Sequence, residues 1–372
     1  GGFDWPQWRG TNRDGISLEE GLIDGWGEAG PVEVWRSSLG DGYSGLAVTA
    51  GRVYTLFQTD AEYAVCLDAL TGEEIWRTKS DSAYRTSQGD GPRGAPVVHE
   101  GIVYTVGGLG NFMALDASDG SVLWSHKLTG TLKGALPEWG FATSPLVDGN
   151  RVYVEPGGTG GHSIAAFDTR TGKLVWSGYR DLAGYSSALA VDIAGSHQIL
   201  FFTAKHLIGM SPEKDEILWE TPWETSYDVN AATPIFIPPN RVFVSSGYGV
   251  GGGVFEISRE GGTFKIETVW KNREMKNHFN SSVLFEGYLY GFDDGTLKCL
   301  DAATGERMWR QRGFGKGSLI VADRKLWILS DRGVLALAET TPEEYRERAQ
   351  TQILKGKCWT SPSLAQRKLY LR

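Results

Sequence analysis

Cysteine and methionine are scarce in this 372-residue chain, at three and four residues. Two of the cysteines, Cys66 and Cys299, stand at the same place in two copies of a repeat. They are expected to lie far apart, and a disulfide framework is excluded. No stretch approaches the roughly 18 apolar residues that a membrane-crossing helix needs. Positive charge is not in excess either. The formal net charge is −8, which argues against a broad grip on nucleic acid or anionic lipid. The histidines show no metal-ligand spacing, and His99, His126, His162, His197 and His206 read as strand or turn residues. A serine nucleophile elbow is missing. No secretory leader is visible, and a chain opening Gly1-Gly2-Phe3 reads as trimmed, which is compatible with a leader having been removed.

What the chain has in quantity is glycine, at 50 residues, and tryptophan, at 14. The tryptophans recur with a fixed partner. Cys66-Leu67-Asp68-Ala69-Leu70-Thr71-Gly72 leads to Trp76, and Cys299-Leu300-Asp301-Ala302-Ala303-Thr304-Gly305 leads to Trp309. Asp116 with Trp124 and Asp168 with Trp176 repeat the interval, and Ser211 with Trp219 is a degraded copy. Apolar residues alternate before the Asp, as in a half-buried strand. The Asp side chain accepts from turn amides while Gly takes positive φ. The strand that follows carries a Trp that buries a large flat surface against a neighbour. Two further strands precede each such unit, for example 95–99 with 101–106 and 144–147 with 151–154. Four strands per unit and a repeat length in the forties specify an all-β propeller.

Seven last strands carry an anchor: Trp35, Trp76, Trp124, Trp176, Trp219, Trp270 and Trp309. An eighth, near Gln352-Ile353-Leu354, lacks one. Thr341-Pro342-Glu343-Glu344 before it has a capping-box start with Pro at the first helical position, which predicts a short helix near 342–350 inserted in the seventh sequential blade. The C-terminal segments 360–364 and 368–371 supply two inner strands. Val32-Glu33-Val34-Trp35 is expected to give the outermost strand of that same blade, so that the two termini share the closing blade. The expected organisation is an N-terminal tail, 1–30, packed on a single eight-bladed propeller, 31–372. A closed ring leaves no free sheet edge, and a monomer is expected.

The repeat Ala-x-Asp-x-x-Thr-Gly-x-x-x-Trp resembles the tryptophan-docking motif of quinoprotein alcohol dehydrogenases, which carry pyrroloquinoline quinone (PQQ), and of the outer-membrane assembly lipoprotein BamB. The opening Asp4-Trp5-Pro6-Gln7-Trp8-Arg9-Gly10, with Lys276-Asn277-His278-Phe279, Gly315-Lys316-Gly317-Ser318 and Gly356-Lys357-Cys358-Trp359, is similar to PQQ-like repeat proteins common in planctomycetes. The resemblance covers essentially the whole chain. It implies eight blades and a periplasmic or secreted location.

Propellers usually bind at one mouth of the central channel, formed by the loops leading into the innermost strands and those between the second and third strands. Aligning the former gives Tyr43, Arg93, Trp139, Tyr185, Asn230, His278, Asn280, Lys316 and Trp359. This cationic, aromatic and amide-bearing set suits a small anionic, planar or sugar-like ligand, or a protein partner. The expected function is non-catalytic binding in the cell envelope or secreted space. The alternative is a PQQ- and calcium-dependent dehydrogenase of alcohols or sugars, for which Glu138, Asp228 and Asn230 are the candidate calcium ligands. The adjacent Cys-Cys pair of the alcohol enzymes and their large loops are missing. The glycine-rich stretch 247–253 is followed by strand-like residues where a phosphate-binding loop needs a helix, and reads as an inter-strand loop. Trp5, Trp8 and Trp26 read as packing the tail rather than contacting a ligand.

Overall fold

A computed structural model describes residues 3–372. Among them, seven sheets built on four consecutive antiparallel strands follow one another, spanning 47–82, 97–127, 146–178, 189–222, 235–272, 283–311 and 318–352, and the last takes a fifth, parallel strand, Ile16–Ser17, from the N-terminal segment. They are numbered one to seven here. A two-stranded sheet, Ser363–Ala365 with Lys368–Tyr370, comes last. In sheet one the second strand, Arg52–Gln58, is buried along nearly its whole length, whereas the fourth, Glu74–Ser82, alternates towards solvent. Inner strands have a sheet packed on each face, so they need apolar residues at successive positions. Only the outer strand shows the clean period of two.

The anchors share one geometry. Trp76, Trp124, Trp176, Trp219, Trp270 and Trp309 each sit opposite Cys66, Ala114, Ala166, Gly209, Val254 and Cys299, and the register slips by one residue directly after. Such a bulge re-aims the side chain. The Trp76 indole donates to Ala117 O at 3.0 Å, Trp124 to Thr169 O at 3.1 Å and Trp270 to Ala302 O at 3.0 Å, each in the following sheet. The turn glycine of that sheet lies under the ring. A Cβ on Gly120, at φ +75°, would come within 2.6 Å of Trp76. The Asp68 carboxylate accepts from the amides of Leu70 and Thr71, as the motif requires. Cys66 and Cys299 are separate, buried and free. Burial pushes their thiols up to about 11 and about 12.

Two sequence-based expectations are corrected. The segment 342–350 holds no helix; Glu347–Gln352 is the fourth strand of sheet seven. Its loop is drawn over sheet six instead, where Thr341 O accepts from the Trp309 indole at 2.7 Å and Tyr345 packs 5.8 Å from that ring. These contacts outweigh a helix propensity worth little over so few residues. Nor is Val32–Trp35 a strand of the last sheet, since no strand lies between it and Lys368–Tyr370 to carry the ladder. Trp35 still reaches the anchor position: its indole donates to Ala69 O at 3.1 Å and its ring lies 6.2 Å from Tyr370.

In sheet seven the anchor position, opposite Leu337, is Ala349. Trp26 from the N-terminal segment fills the space, with its ring 6.3 Å from Trp327 and its indole donating to Thr351 Oγ1 at 3.0 Å. The preceding residues do not lie over the propeller but between its innermost strands. Trp5 bridges to Val48, Pro6 O accepts from Val98 N, and Trp8 donates to Thr233 Oγ1. Arg9 donates to Ser282 O and Arg13 to Pro145 O, and Ile16–Ser17 runs parallel to Val321–Ala322. Sheets one, two, three, five, six and seven are all touched within thirteen residues of chain, Trp5 to Ser17. The segment is a plug.

Candidate ligand-binding mouth

Hydroxyls and amides stitch neighbouring sheets together just ahead of the innermost strands. Ser44 Oγ donates to Gly94 O, Ser144 N donates to Ser187 Oγ, Ser186 Oγ donates to Ala232 O, and Thr233 N donates to Ser281 Oγ. Asn280 Nδ2 donates to Gly317 O, and Thr360 Oγ1 donates to Tyr43 O. This girdle fixes the lead-in loops. The larger side chains of those loops stand around a cavity of about 230 Å³ lined by, among others, Tyr43, Arg93, Trp139, Tyr185, His278 and Trp359.

The aromatic rings form a collar. From Tyr43 it passes through Trp359, Phe279, His278, Tyr248, Tyr227 and Trp139 to Tyr185, with neighbouring centroids 4.6–5.8 Å apart. Arg93 completes the circuit. Its guanidinium lies 5.8 Å from the Tyr43 ring and 5.5 Å from Tyr84, whose hydroxyl donates to Glu138 O beside Trp139. Such spacings are those of favourable aromatic and cation–π contacts.

Three cations stand in the collar, and among the described residues none is paired with a carboxylate. Arg93 donates to Gly89 O and Gly91 O. Lys357 lies 4.2 Å from the Trp359 centroid. Lys316 Nζ donates to His278 Nδ1 at 2.6 Å. Burial, and then the Lys316 charge, hold the His278 pKa below its usual value, so the imidazole is neutral and accepts at pH 7. In a chain of net charge −8, unpaired cations around a concave apolar site favour an anion.

Of the nine residues aligned from the sequence, eight line this cavity. Asn230 does not. Its side chain is fully buried, with Nδ2 donating to Thr203 O, Ala204 O and Trp223 O and Oδ1 accepting from Thr225 Oγ1. A loop position one residue from the cavity-lining Val229 and Ala231 is aligned correctly yet turned inward. Sequence reasoning missed Trp8, Tyr248 and Phe279. Tyr248 lies in the glycine-rich loop between the second and third strands of sheet five, one of the two loop classes expected at a mouth. Phe279 adjoins His278. Trp8 was read as packing alone, and no local signal separates a plug from a tail.

The candidate calcium ligands do not fit that ion. Asn230 is buried with Oδ1 accepting from Thr225 Oγ1, Glu138 is exposed, and Asp228 is half-buried with its pKa raised, first by burial. Among the described residues no three His, Cys, Asp or Glu side chains gather as metal ligands. Calcium takes six to eight oxygens.

The family described as outer membrane protein assembly factor BamB matches residues 20–93 and 85–311. The chain is similar to BamB of Burkholderia pseudomallei, 26% identical over 196 residues, covering 51% of this chain and 45% of that one. It is also similar to the dehydrogenase subunit of a quinone alcohol dehydrogenase of Gluconobacter oxydans, 29% identical over 147 residues, covering 38% and 18%. The chain thus spans less than half the length of these curated relatives. A quinohemoprotein alcohol dehydrogenase of Pseudomonas putida superposes with a TM-score of 0.68 at 13% identity, covering 98% of this chain and 75% of that one. That likeness concerns the fold. No helix of the described residues is long and apolar enough to cross a membrane.

Proposed function

From the premise that the chain belongs to the family described as outer membrane protein assembly factor BamB, we propose a non-catalytic binding propeller of the cell envelope that takes a small ligand at the collar. The collar carries the proposal: rings and unpaired cations from the lead-in loops converge on one concave site. The same reading makes the protein a monomeric, eight-bladed ring, with the last two strands and Trp35 forming the closing blade. Support for closure comes from Ser363 Oγ donating to Leu46 O and Thr360 Oγ1 to Tyr43 O, between the last sheet and sheet one. The names of the relatives place BamB at outer-membrane assembly, and a protein partner on the outer faces is compatible with a ligand at the mouth.

The dehydrogenase reading would seat PQQ, a tricarboxylate, near Arg93 and Lys316. Of the donors calcium would take, the Asn230 side chain is turned into the fold, and we derive no step through either group. The test is a thermal-shift panel of small anions, sugars and quinones, run beside PQQ with calcium and dye reduction on alcohols. Stabilisation by a panel member, lost in Trp359→Ala and Lys316→Ala, is the expected result. Alcohol-dependent dye reduction abolished by Lys316→Ala would overturn the proposal.

A further inference from the structure

The mouth has a floor that its loops alone do not provide. Trp8, on the N-terminal plug, lines the cavity, donates to Thr233 Oγ1 at 2.9 Å and lies against Gly45, where a Cβ would come within 3.3 Å of its ring. The plug makes the mouth a blind pocket rather than one end of an open channel. Arg9 and Arg13 follow Trp8 into the interior. Both are buried, and they donate to backbone carbonyls and to Gln7 Oε1; Arg13 Nε has no partner. The Asp14 carboxylate lies near enough to act on Arg9, which leaves the Arg13 guanidinium as the uncompensated positive charge on the channel side of the pocket.

We infer that this pocket holds an acidic monosaccharide of the hexuronate kind, its ring against the tryptophan faces and its carboxylate towards Lys316 and Arg93. The inference rests on the binding reading above and goes beyond it by naming the ligand class.

Size comes first. A cavity of about 230 Å³ is below the range of about 300–1,000 Å³ for drug-sized ligands, and suits one six-membered ring with its substituents. Ring orientation comes next. Neighbouring collar faces are tilted by 34° at Tyr43–Trp359, 43° at Phe279–Trp359, 40° at Trp139–Tyr185 and 58° at Trp139–Tyr227. A flat fused-ring anion would find one face to stack on here but no parallel pair to sandwich it. A puckered sugar instead offers separate C–H patches to tilted faces. Unused hydrogen-bonding groups supply the third argument. Among the described residues the indoles of Trp139 and Trp359 have no partner, unlike those of Trp8, Trp76, Trp124, Trp270 and Trp309. Asn280 spends Nδ2 on Gly317 O and leaves Oδ1 free to accept from a hydroxyl. Lys316 spends one N–H on His278 and keeps two for a carboxylate.

The test titrates the intact protein with D-glucuronate, D-glucose and benzene-1,3,5-tricarboxylate at fixed ionic strength, read by tryptophan fluorescence and ligand-observed NMR. Saturable glucuronate binding is expected, with glucose weaker by about tenfold or more and no competition from the tricarboxylate. Lys316→Ala should bring glucuronate down to the level of glucose, and Trp359→Ala should weaken both sugars. Trp8→Phe should keep most of the affinity and Trp8→Ala lose it; near-ultraviolet circular dichroism and the melting midpoint check that each variant folds. Glucose binding as well as glucuronate would overturn the inference. So would tighter binding of the tricarboxylate or of PQQ through the same residues, an outcome that leaves the mouth as a binding site. If none of the three probes binds, the acidic-sugar inference is overturned, and the mouth reading stands or falls on the thermal-shift panel.

Discussion

Tryptophan does two jobs in this molecule, and at four of the six anchors the indole N–H marks the first of them. At the rim, Trp76, Trp124, Trp270 and Trp309 lie over a turn of the next sheet and donate to its backbone carbonyls. At the mouth, Trp139 and Trp359 pack against other rings, Trp359 also against Lys357, and among the described residues their indoles donate to nothing. A buried N–H that has its acceptor belongs to the fold. A half-buried one without an acceptor, in a concave site, is left for something that arrives.

Truncating a rim anchor gives the largest expected effect. Trp76→Ala should cost about 3–5 kcal/mol by urea unfolding, because the ring is buried and its hydrogen bond joins two sheets. A loss below about 1 kcal/mol would erase the distinction between rim and mouth. Next comes the buried Glu155, on the mouth side of sheet three, whose carboxyl accepts from Gly184 N. Burial, followed by the nearby Asp181, pushes its pKa up to about 8 from an ordinary 4.5. The native state therefore holds a proton that the unfolded chain has released. Stability is greatest below about pH 4.5 for this group and falls as pH rises through about 8, by on the order of a few kcal/mol. Glu155→Gln should flatten that part of the stability–pH curve; an unchanged slope would show that Glu155 is ionised in the fold.

Gly172→Ala probes the rim from the other side. A Cβ there, at φ +67°, would come within 2.6 Å of Trp124, and about 1–3 kcal/mol should be lost. Trp26→Ala should cost about 2 kcal/mol, less than a true anchor because Trp26 is only partly buried and its hydroxyl acceptor, on Thr351, lies near solvent. Last, Trp359→Ala should change stability by less than about 1 kcal/mol while removing ligand binding. Loss of stability on the scale of Trp76→Ala would make the collar a packing device like the rim.

The rim was legible in the sequence because its geometry is local. Asp68 and Trp76 are joined by one turn, and the same eight-residue interval returns wherever the same turn is made. The collar was legible only in part. Aligning lead-in positions finds the right loops, but whether a side chain faces the cavity or the adjoining sheet is decided by acceptors far along the chain, as Asn230 with Thr203 O and Trp223 O demonstrates. The helix expected near 342–350 failed for a similar reason: the Trp309 indole requires the Thr341 carbonyl, a demand that no window of sequence contains. Ala349 could be seen as a missing anchor, yet nothing local says that Trp26, more than 300 residues earlier, takes its place.

The plug also bears on the order of assembly. Residues 5–17 precede every sheet in the chain, yet their partners include Thr233, Ser282 and Val321. On a ribosome this segment emerges before the sheets and waits until sheets five to seven exist before it can be seated. Contacts of such long sequence separation form slowly. Once they are made, releasing any of the six sheets it touches means withdrawing a strap that holds five others, so the last piece to settle is the one that resists opening.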